Sequence, residues 1–341
     1  MAESHTNRFR AHRNYVESFS WLAGRPNLIS TDRALENLAK IIASGGLVTD
    51  KPTTSINLPQ VKKSLKNAWS TEVLLALPGK WVDELDDFIR MSNVWGVVQA
   101  YYVGYHVTQA LVIAKGLPRP TSHTTTQRLF AANWADRSHS LAPWTFGCID
   151  GGWRNLPPGV VLDPTINPWM SCTDDTVWSL AAKALETTRK SAVNEAIQRK
   201  RDDGRKLRRD QWRAQEADRL SRGRRPSNEP EFARPQLTAS EIGACRAGVR
   251  TFTVLDYLYR LRIGANYDDA AIYIEGPESD SEAFMFNNRL THLVSATALA
   301  TEARIANLIG LSTFIGWADE FIAGSVPPHY EVGIMARRKY F

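Results

Sequence analysis

The chain has 341 residues, a formal net charge of +6, 43% hydrophobic and 23% charged residues, proportions that exclude a disordered or collagen-like polymer and predict a buried core. No apolar run approaches the ~18 residues needed to span a bilayer as a helix, and Glu3, Arg8, Arg10 and Arg13 near the start have no apolar stretch behind them, so neither a membrane anchor nor a secretory signal is expected. Cys148, Cys172 and Cys245 are odd in number and widely spaced, which suits neither a disulfide framework nor a metal site and points to a reducing cytoplasm.

Helical periodicity opens the chain: Tyr15, Phe19, Trp21 and Leu22 predict a helix over 1–24. Ser30-Thr31-Asp32 offers an N-cap before Ala34, Leu35, Leu38, Ile41 and Ile42, and Gly45-Gly46 is the stop. Pro59 opens a helix through Val61, Leu65, Ala68 and Trp69, and Pro78-Gly79 punctuates it. The period resumes at Trp81, Leu85, Phe88 and Ile89 and runs from Val94 to about Ala114, closed by Gly116-Leu117-Pro118. Over 139–172, Pro143, Pro157, Pro158, Pro164 and Pro168 interleave with Trp144, Trp153 and Trp169. That mixture predicts a loop fastened to the body by its tryptophans. Helices are predicted again at 173–222, 239–263 and 281–322. The best strand signal, Ala271-Ile272-Tyr273-Ile274, is only four residues. The expected fold class is all-α.

Charge is concentrated in one place. From Arg189 to Arg225 there are fourteen Lys/Arg against six Asp/Glu, a local balance of +8. The segment is helix-compatible, but Leu207, Trp212 and Leu220 make too thin an apolar stripe to face a core. It reads either as a solvated helix laced with ion pairs or as a phosphate-attracting arm. In the second case Arg199, Lys200, Arg201, Arg205, Lys206, Arg208, Arg209 and Arg213 are the nucleic-acid contacts. Pro226, Pro230 and Pro235 end the segment.

Residues 94–114 are nearly all apolar or aromatic, as a helix buried on most sides should be. Its polar exceptions, Gln99, Tyr102, His106 and Gln109, fall within a sector of about 80° at 100° per residue. Such a stripe is either a satisfied core network fixing one tautomer of His106 or a face that meets a ligand.

The run from Ala100-Tyr101-Tyr102 through Tyr105-His106, Ala110-Leu111 and Gly116 to Ser122-His123 and Leu129-Phe130 resembles the signature of small prokaryotic HEPN-superfamily proteins. A second block, Tyr257-Leu258-Tyr259-Arg260-Leu261-Arg262 followed by Ala265-Asn266-Tyr267-Asp268, is similar to that family's Leu-x-x-Leu-Arg-x-x-Ala-Asp-Tyr-Asp stretch, with Asn266 in place of Asp. The resemblance covers roughly 82–137 and 246–310. It implies a HEPN-like helical bundle in two parts, 81–137 and 246–322. Around it stand an N-terminal helical extension (1–80), an insertion with the Trp/Pro-rich loop and the basic helix (138–245), and a C-terminal tail (323–341).

Many HEPN proteins are metal-independent ribonucleases whose Arg-x(4–6)-His motif, supplied by both partners of a dimer, activates the 2′-OH and stabilises the developing phosphorane. The resemblance places Arg262 at the motif-arginine position, and pairing in space with His106, the centre of the polar stripe, or with His123 makes these three the candidate catalytic residues. In a purely structural site Asp256 or Asp268 is the expected salt-bridge partner of Arg262. The motif itself is absent: none of His5, His12, His106, His123, His139, His292 and His329 follows an arginine at that spacing, and Arg289-Leu290-Thr291-His292 has only two intervening residues. The expected function is an atypical HEPN-like protein of toxin–antitoxin or antiphage-defence type, binding RNA, a nucleotide or a partner protein encoded nearby. One alternative is a metal-independent endoribonuclease with a rearranged Arg/His site. Another is a structural subunit that docks an acidic partner through the basic helix. A homodimer or hetero-complex is expected, with no cofactor, no metal and no membrane.

Overall fold

The computed structural model describes residues 4–25, 30–46, 50–52, 54–80, 87–137, 141–267, 270–325 and 331–341. Trp81, Leu85, His139, Asp268, Asp269 and His329 lie outside them. The fold is all-α. Among the described residues twelve α-helices accompany one two-stranded ribbon, and no helix is long and apolar enough to cross a membrane.

The first three helices are α1 (His5–Leu22), α2 (Thr31–Ile41) and α3 (Leu58–Ala76). Each start is capped by a side-chain oxygen taking a backbone N–H: Ser4 from Asn7, Ser30 from Arg33 and Asn57 from Gln60. The central element is α4 (Phe88–Ala114), packed between α3, α8 (Val254–Tyr267) and α10 (Asp280–Ile309). A helix so enclosed has to be apolar all round, which explains its composition. Gly104 sets how near α8 comes, because a Cβ there would stand 2.8 Å from the Leu255 side chain. Gly116, at φ +77°, turns the chain out of α4 toward α5 (His123–Asn133).

Several elements differ from the sequence expectations. Residues 239–263 form two helices, α7 (Ala239–Ala247) and α8, separated by a connection in which Phe252 bridges to Cys148. Residues 281–322 also divide, into α10 and α11 (Leu311–Ser325), because Gly310 at φ +91° breaks the helix between them. Ala271–Ile274 is part of a short helix, α9 (Ala270–Glu275), not a strand: packing of Ile272 and Tyr273 into the core overrides β-propensity. The ribbon lies instead in the Trp/Pro-rich loop, β1 (Gly147–Ile149) pairing antiparallel with β2 (Gly152–Arg154). That loop is anchored by Trp144 and Phe146, both fully buried, with Trp153 stacked on Phe146 and the Trp144 indole donating to Thr297 at 2.8 Å, whereas Trp169, expected to fasten it too, is exposed.

The terminal segments belong to the same core as the rest. Phe9, Val16 and Phe19 of α1 and Leu35 and Leu38 of α2 are buried in the main hydrophobic cluster. Near the other end, α12 (Ile334–Arg337) buries Arg337 completely between Glu72 of α3 and Glu302 of α10. The basic segment is the distal part of a single 45-residue helix, α6 (Val177–Ser221). Its first half packs through Leu180, Leu185 and Val193, and beyond that the helix projects as an arm, with Leu207 59% exposed. The chain then returns along the arm, Phe232 meeting Trp212 and Arg234 pairing with Asp202.

Candidate functional site

Three elements bring one aromatic cluster together. On α4, Tyr101, Tyr102, Tyr105 and His106 occupy successive turns of one face. His123 is the first residue of α5, fixed by the Ser122 cap, which takes the Thr125 N–H at 3.1 Å. Tyr259 and Arg262 sit three residues apart on α8 and so share a face.

Arg262 is the centre of this cluster. Its guanidinium lies 5.4, 5.6 and 5.8 Å from the ring centres of Tyr102, Tyr259 and Tyr101, within cation–π range. Nη2 donates to the Tyr102 hydroxyl at 3.3 Å. Nε is buried and has no hydrogen-bond partner. Among the described residues no carboxylate pairs with Arg262. Asp256, a partner expected from the sequence, is held instead by Arg250 and by the Thr253 N–H at 2.7 Å, and Asp268 is outside the described residues. Among the described residues the guanidinium meets aromatic rings and one hydroxyl and no counter-charge.

His123 stands beside it. Its Nδ1 lies 2.8 Å from the Tyr101 hydroxyl, which donates when Nδ1 is unprotonated. Its ring is 5.1 Å from Tyr105 and 5.5 Å from both Tyr101 and Tyr259. Burial and then the Arg262 charge push its pKa below the ordinary imidazole value. Tyr101, its partner, is pushed well up by burial and stays protonated. His106 lies over the other side of the cluster, stacked on Tyr102 at 5.9 Å. Burial lowers its pKa, against the Gln109 hydrogen bond at 3.4 Å, and Arg119 lowers it further. Gln109 in turn donates to the Pro120 carbonyl at 2.8 Å and accepts from Arg119 at 3.3 Å. Those bonds pin the turn that carries His123.

The polar stripe is therefore of two characters. Tyr102 and His106 face the cluster, Gln109 fastens the turn, and Gln99 makes no hydrogen bond among the described residues. Arg289 and His292 stand elsewhere: Arg289 pairs with Glu17 at 3.3 Å, and His292 is wholly buried. They are close enough for the Arg289 charge to help lower the His292 pKa, but one is paired and the other enclosed, apart from the Arg262 cluster.

On the arm, Arg199 pairs with Glu195 and Arg213 with Glu229. Lys200, Arg201, Arg205, Lys206, Arg208 and Arg209 form no ion pair among the described residues. Arg201, Arg205 and Arg208 recur at the i, i+4, i+7 spacing of one helix face. No group of three His, Cys, Asp or Glu among the described residues is arranged to hold a metal ion.

Sequence reasoning passed over Tyr259. Its signal was the three-residue spacing from Arg262, which places both on one side of α8. It also passed over Tyr101 and Tyr105 as site residues, since their helix reads as core throughout. Compared with protein-family models, with curated proteins and with solved structures, the chain matches none of them.

Proposed function

We propose that this chain is an atypical HEPN-like protein that binds single-stranded RNA, with Arg262 and its tyrosines as the contact that holds the strand. The observation that carries this reading is Arg262 itself: a guanidinium stacked on three tyrosines, with a buried unpaired Nε and no carboxylate among the described residues. Tyr101 is fully buried, but Tyr102 and Tyr259 are half-buried. An arginine beside part-exposed rings serves RNA well, because the phosphate meets the cation and an unstacked base meets a ring edge or face. The unpaired arginines of the α6 arm extend that attraction by counterion release. The resemblance to HEPN proteins carries the setting, a prokaryotic toxin–antitoxin or antiphage-defence system, and the expectation of a second copy or a partner protein. Trp95, 64% exposed one turn before Gln99, offers apolar surface for either.

The direct test is titration of a fluorescent single-stranded RNA at rising salt, with an acidic peptide as competitor. Tight binding with a steep salt slope, resisted only weakly by the peptide, supports the RNA reading. Binding of the peptide alone would replace it with the acidic-partner reading.

A second reading, metal-independent RNA cleavage, is favoured by the place of His123. Burial and Arg262 lower its pKa, which favours the neutral ring. In the tautomer whose Nδ1–H donates to the Tyr101 hydroxyl, the Nε2 lone pair is free to take a proton from a 2′-OH. The oxygen would then attack the adjacent phosphorus and release the 5′-oxygen of the next nucleotide, with Arg262 facing the phosphorane charge. Cleavage in excess chelator, giving 2′,3′-cyclic phosphate ends and lost in His123→Ala, would establish it. Intact RNA after long incubation would leave binding alone.

A further inference from the structure

Between α6, the α7–α8 connection, α8 and the start of α5 lies an open cavity of about 800 Å3, within the ~300–1,000 Å3 of small-molecule sites. Its walls are of two kinds. Phe252, Val249 and Ile263 give apolar and aromatic surface, and Tyr259 is a wall shared with the Arg262 cluster. Lys200 and Arg260 reach the same cavity, Arg260 from the ridge it shares with a smaller pocket around His12 and Lys200 from near Glu241, whose pKa it lowers; neither makes a salt bridge or hydrogen bond among the described residues. The two other cations that line it are occupied, Arg199 by Glu195 and Arg250 by Asp256.

The cavity is held open by buried bonds. Arg189, 6% exposed, donates to the carbonyls of Arg246 at 2.7 Å and Val249 at 3.1 Å, which fixes the lip where α7 ends. Arg250, tied to Asp256, also donates to Gln127 at 3.1 Å and so links the lip to α5. The ligand this lining suits has a planar ring for the aromatic wall and an anionic group for two cations that form no ion pair among the described residues. Asp203, also on the wall, can accept from an amino group or a ribose hydroxyl.

We propose that this cavity binds a nucleotide unit, its base against Phe252 and Tyr259 and its phosphate at Lys200 and Arg260. The proposal goes beyond the reading of Arg262 and does not rest on it, because different cations carry it. The unit is a free mononucleotide or one nucleotide of an RNA strand that continues past Tyr259 to Arg262; the recognition chemistry is the same.

The chain contains its own reporter. Cys245 lines the cavity and is half-exposed, whereas Cys148 and Cys172 are buried, and burial pushes their thiols up to about 11 and about 12. The full chain is therefore treated with N-ethylmaleimide near neutral pH, and alkylation of Cys245 is followed by peptide mass. The runs contain AMP, short oligoadenylate or inorganic phosphate. AMP or oligoadenylate should slow Cys245 alkylation at least about tenfold, and phosphate alone should not. Protection by AMP identifies a free nucleotide as a sufficient ligand; protection by oligoadenylate only identifies an RNA nucleotide. The Lys200→Glu/Arg260→Gln double variant should need about 10–100-fold more AMP or oligoadenylate for the same protection, the loss expected for charge-assisted hydrogen bonds. Circular dichroism checks that this variant is folded. Arg262→Ala should keep protection by AMP, so failure of the RNA reading would leave this one standing. Undiminished alkylation under millimolar AMP and oligoadenylate overturns the proposal. So does equal protection in the folded double variant, or equal protection by phosphate alone.

Discussion

Two arginines divide the molecule by what surrounds them. Arg337 is fully buried, with Nη2 2.8 Å and Nε 3.1 Å from the Glu302 carboxylate and Nη1 on Glu72. Glu302 also accepts from the Trp69 indole at 2.7 Å. Burial opposes the charge of Arg337, but Glu302 and Glu72 outweigh it and raise its pKa. Arg262 is half-buried, faces three tyrosines and has no carboxylate beside it among the described residues. The first charge is satisfied within the fold and fastens α12 to α3 and α10. The second has no such carboxylate among the described residues, which is what the proposed RNA contact draws on.

The largest expected effect tests the satisfied charge. Arg337→Ala leaves two buried carboxylates without their cation, a loss on the order of 3–5 kcal/mol. Denaturant unfolding should show it, while the RNA affinity of the protein still folded stays unchanged. A loss under about 1 kcal/mol would mean the network is solvated, as surface pairs are.

How much of this contrast the sequence showed depends on the range of the signal. The all-α class and the α4 stripe followed from helical spacing, and Arg262, His106 and His123, singled out with the help of the family resemblance, lie in one cluster. Helix ends at Ser30 and Gly116 were legible because caps and glycines act locally. Arg337 was not, because nothing near it in sequence forecasts carboxylates 265 and 35 residues away. The same holds for the core positions of α1 and α12, which read as extension and tail until tertiary packing is known. The basic arm was legible as charge, but the junction at which α6 passes from packed to projecting comes from its burial by the loop and α8.

The next effect concerns histidines. His292 is wholly buried, and burial lowers its pKa to about 3. Between the unfolded value of 6.5 and that value, the unfolded state binds the extra proton, so stability falls as pH falls through this window. From pH 6.5 to pH 4.5 the share of the loss due to His292 should be about 2–3 kcal/mol, and His12, lowered likewise to about 3 by burial, adds to it in the same window. In His292→Leu the slope should flatten over that interval; an unchanged slope would show that other groups set it.

The arm gives an effect on binding with little on stability. Replacing Arg201, Arg205 and Arg208 by Gln should leave unfolding within about 0.5 kcal/mol and lower the salt slope of RNA binding by about 2. An unaltered slope would make the arm a solvated helix. The smallest effect is Tyr101→Phe, which removes the hydroxyl at His123. It should cost about 1 kcal/mol of stability and leave RNA affinity nearly unchanged, distinguishing a positioning bond from a contact.

The unsatisfied charge of Arg262 is tested most directly by RNA affinity and melting temperature measured together for wild type, Arg262→Ala and Arg262→Lys. Arg262→Ala should bind RNA about 10–100-fold more weakly and melt within about 2 °C of wild type. Arg262→Lys should recover only part of the affinity, since an ammonium neither stacks nor forks as a guanidinium does. A folded Arg262→Ala protein that binds RNA as tightly as wild type would contradict the account.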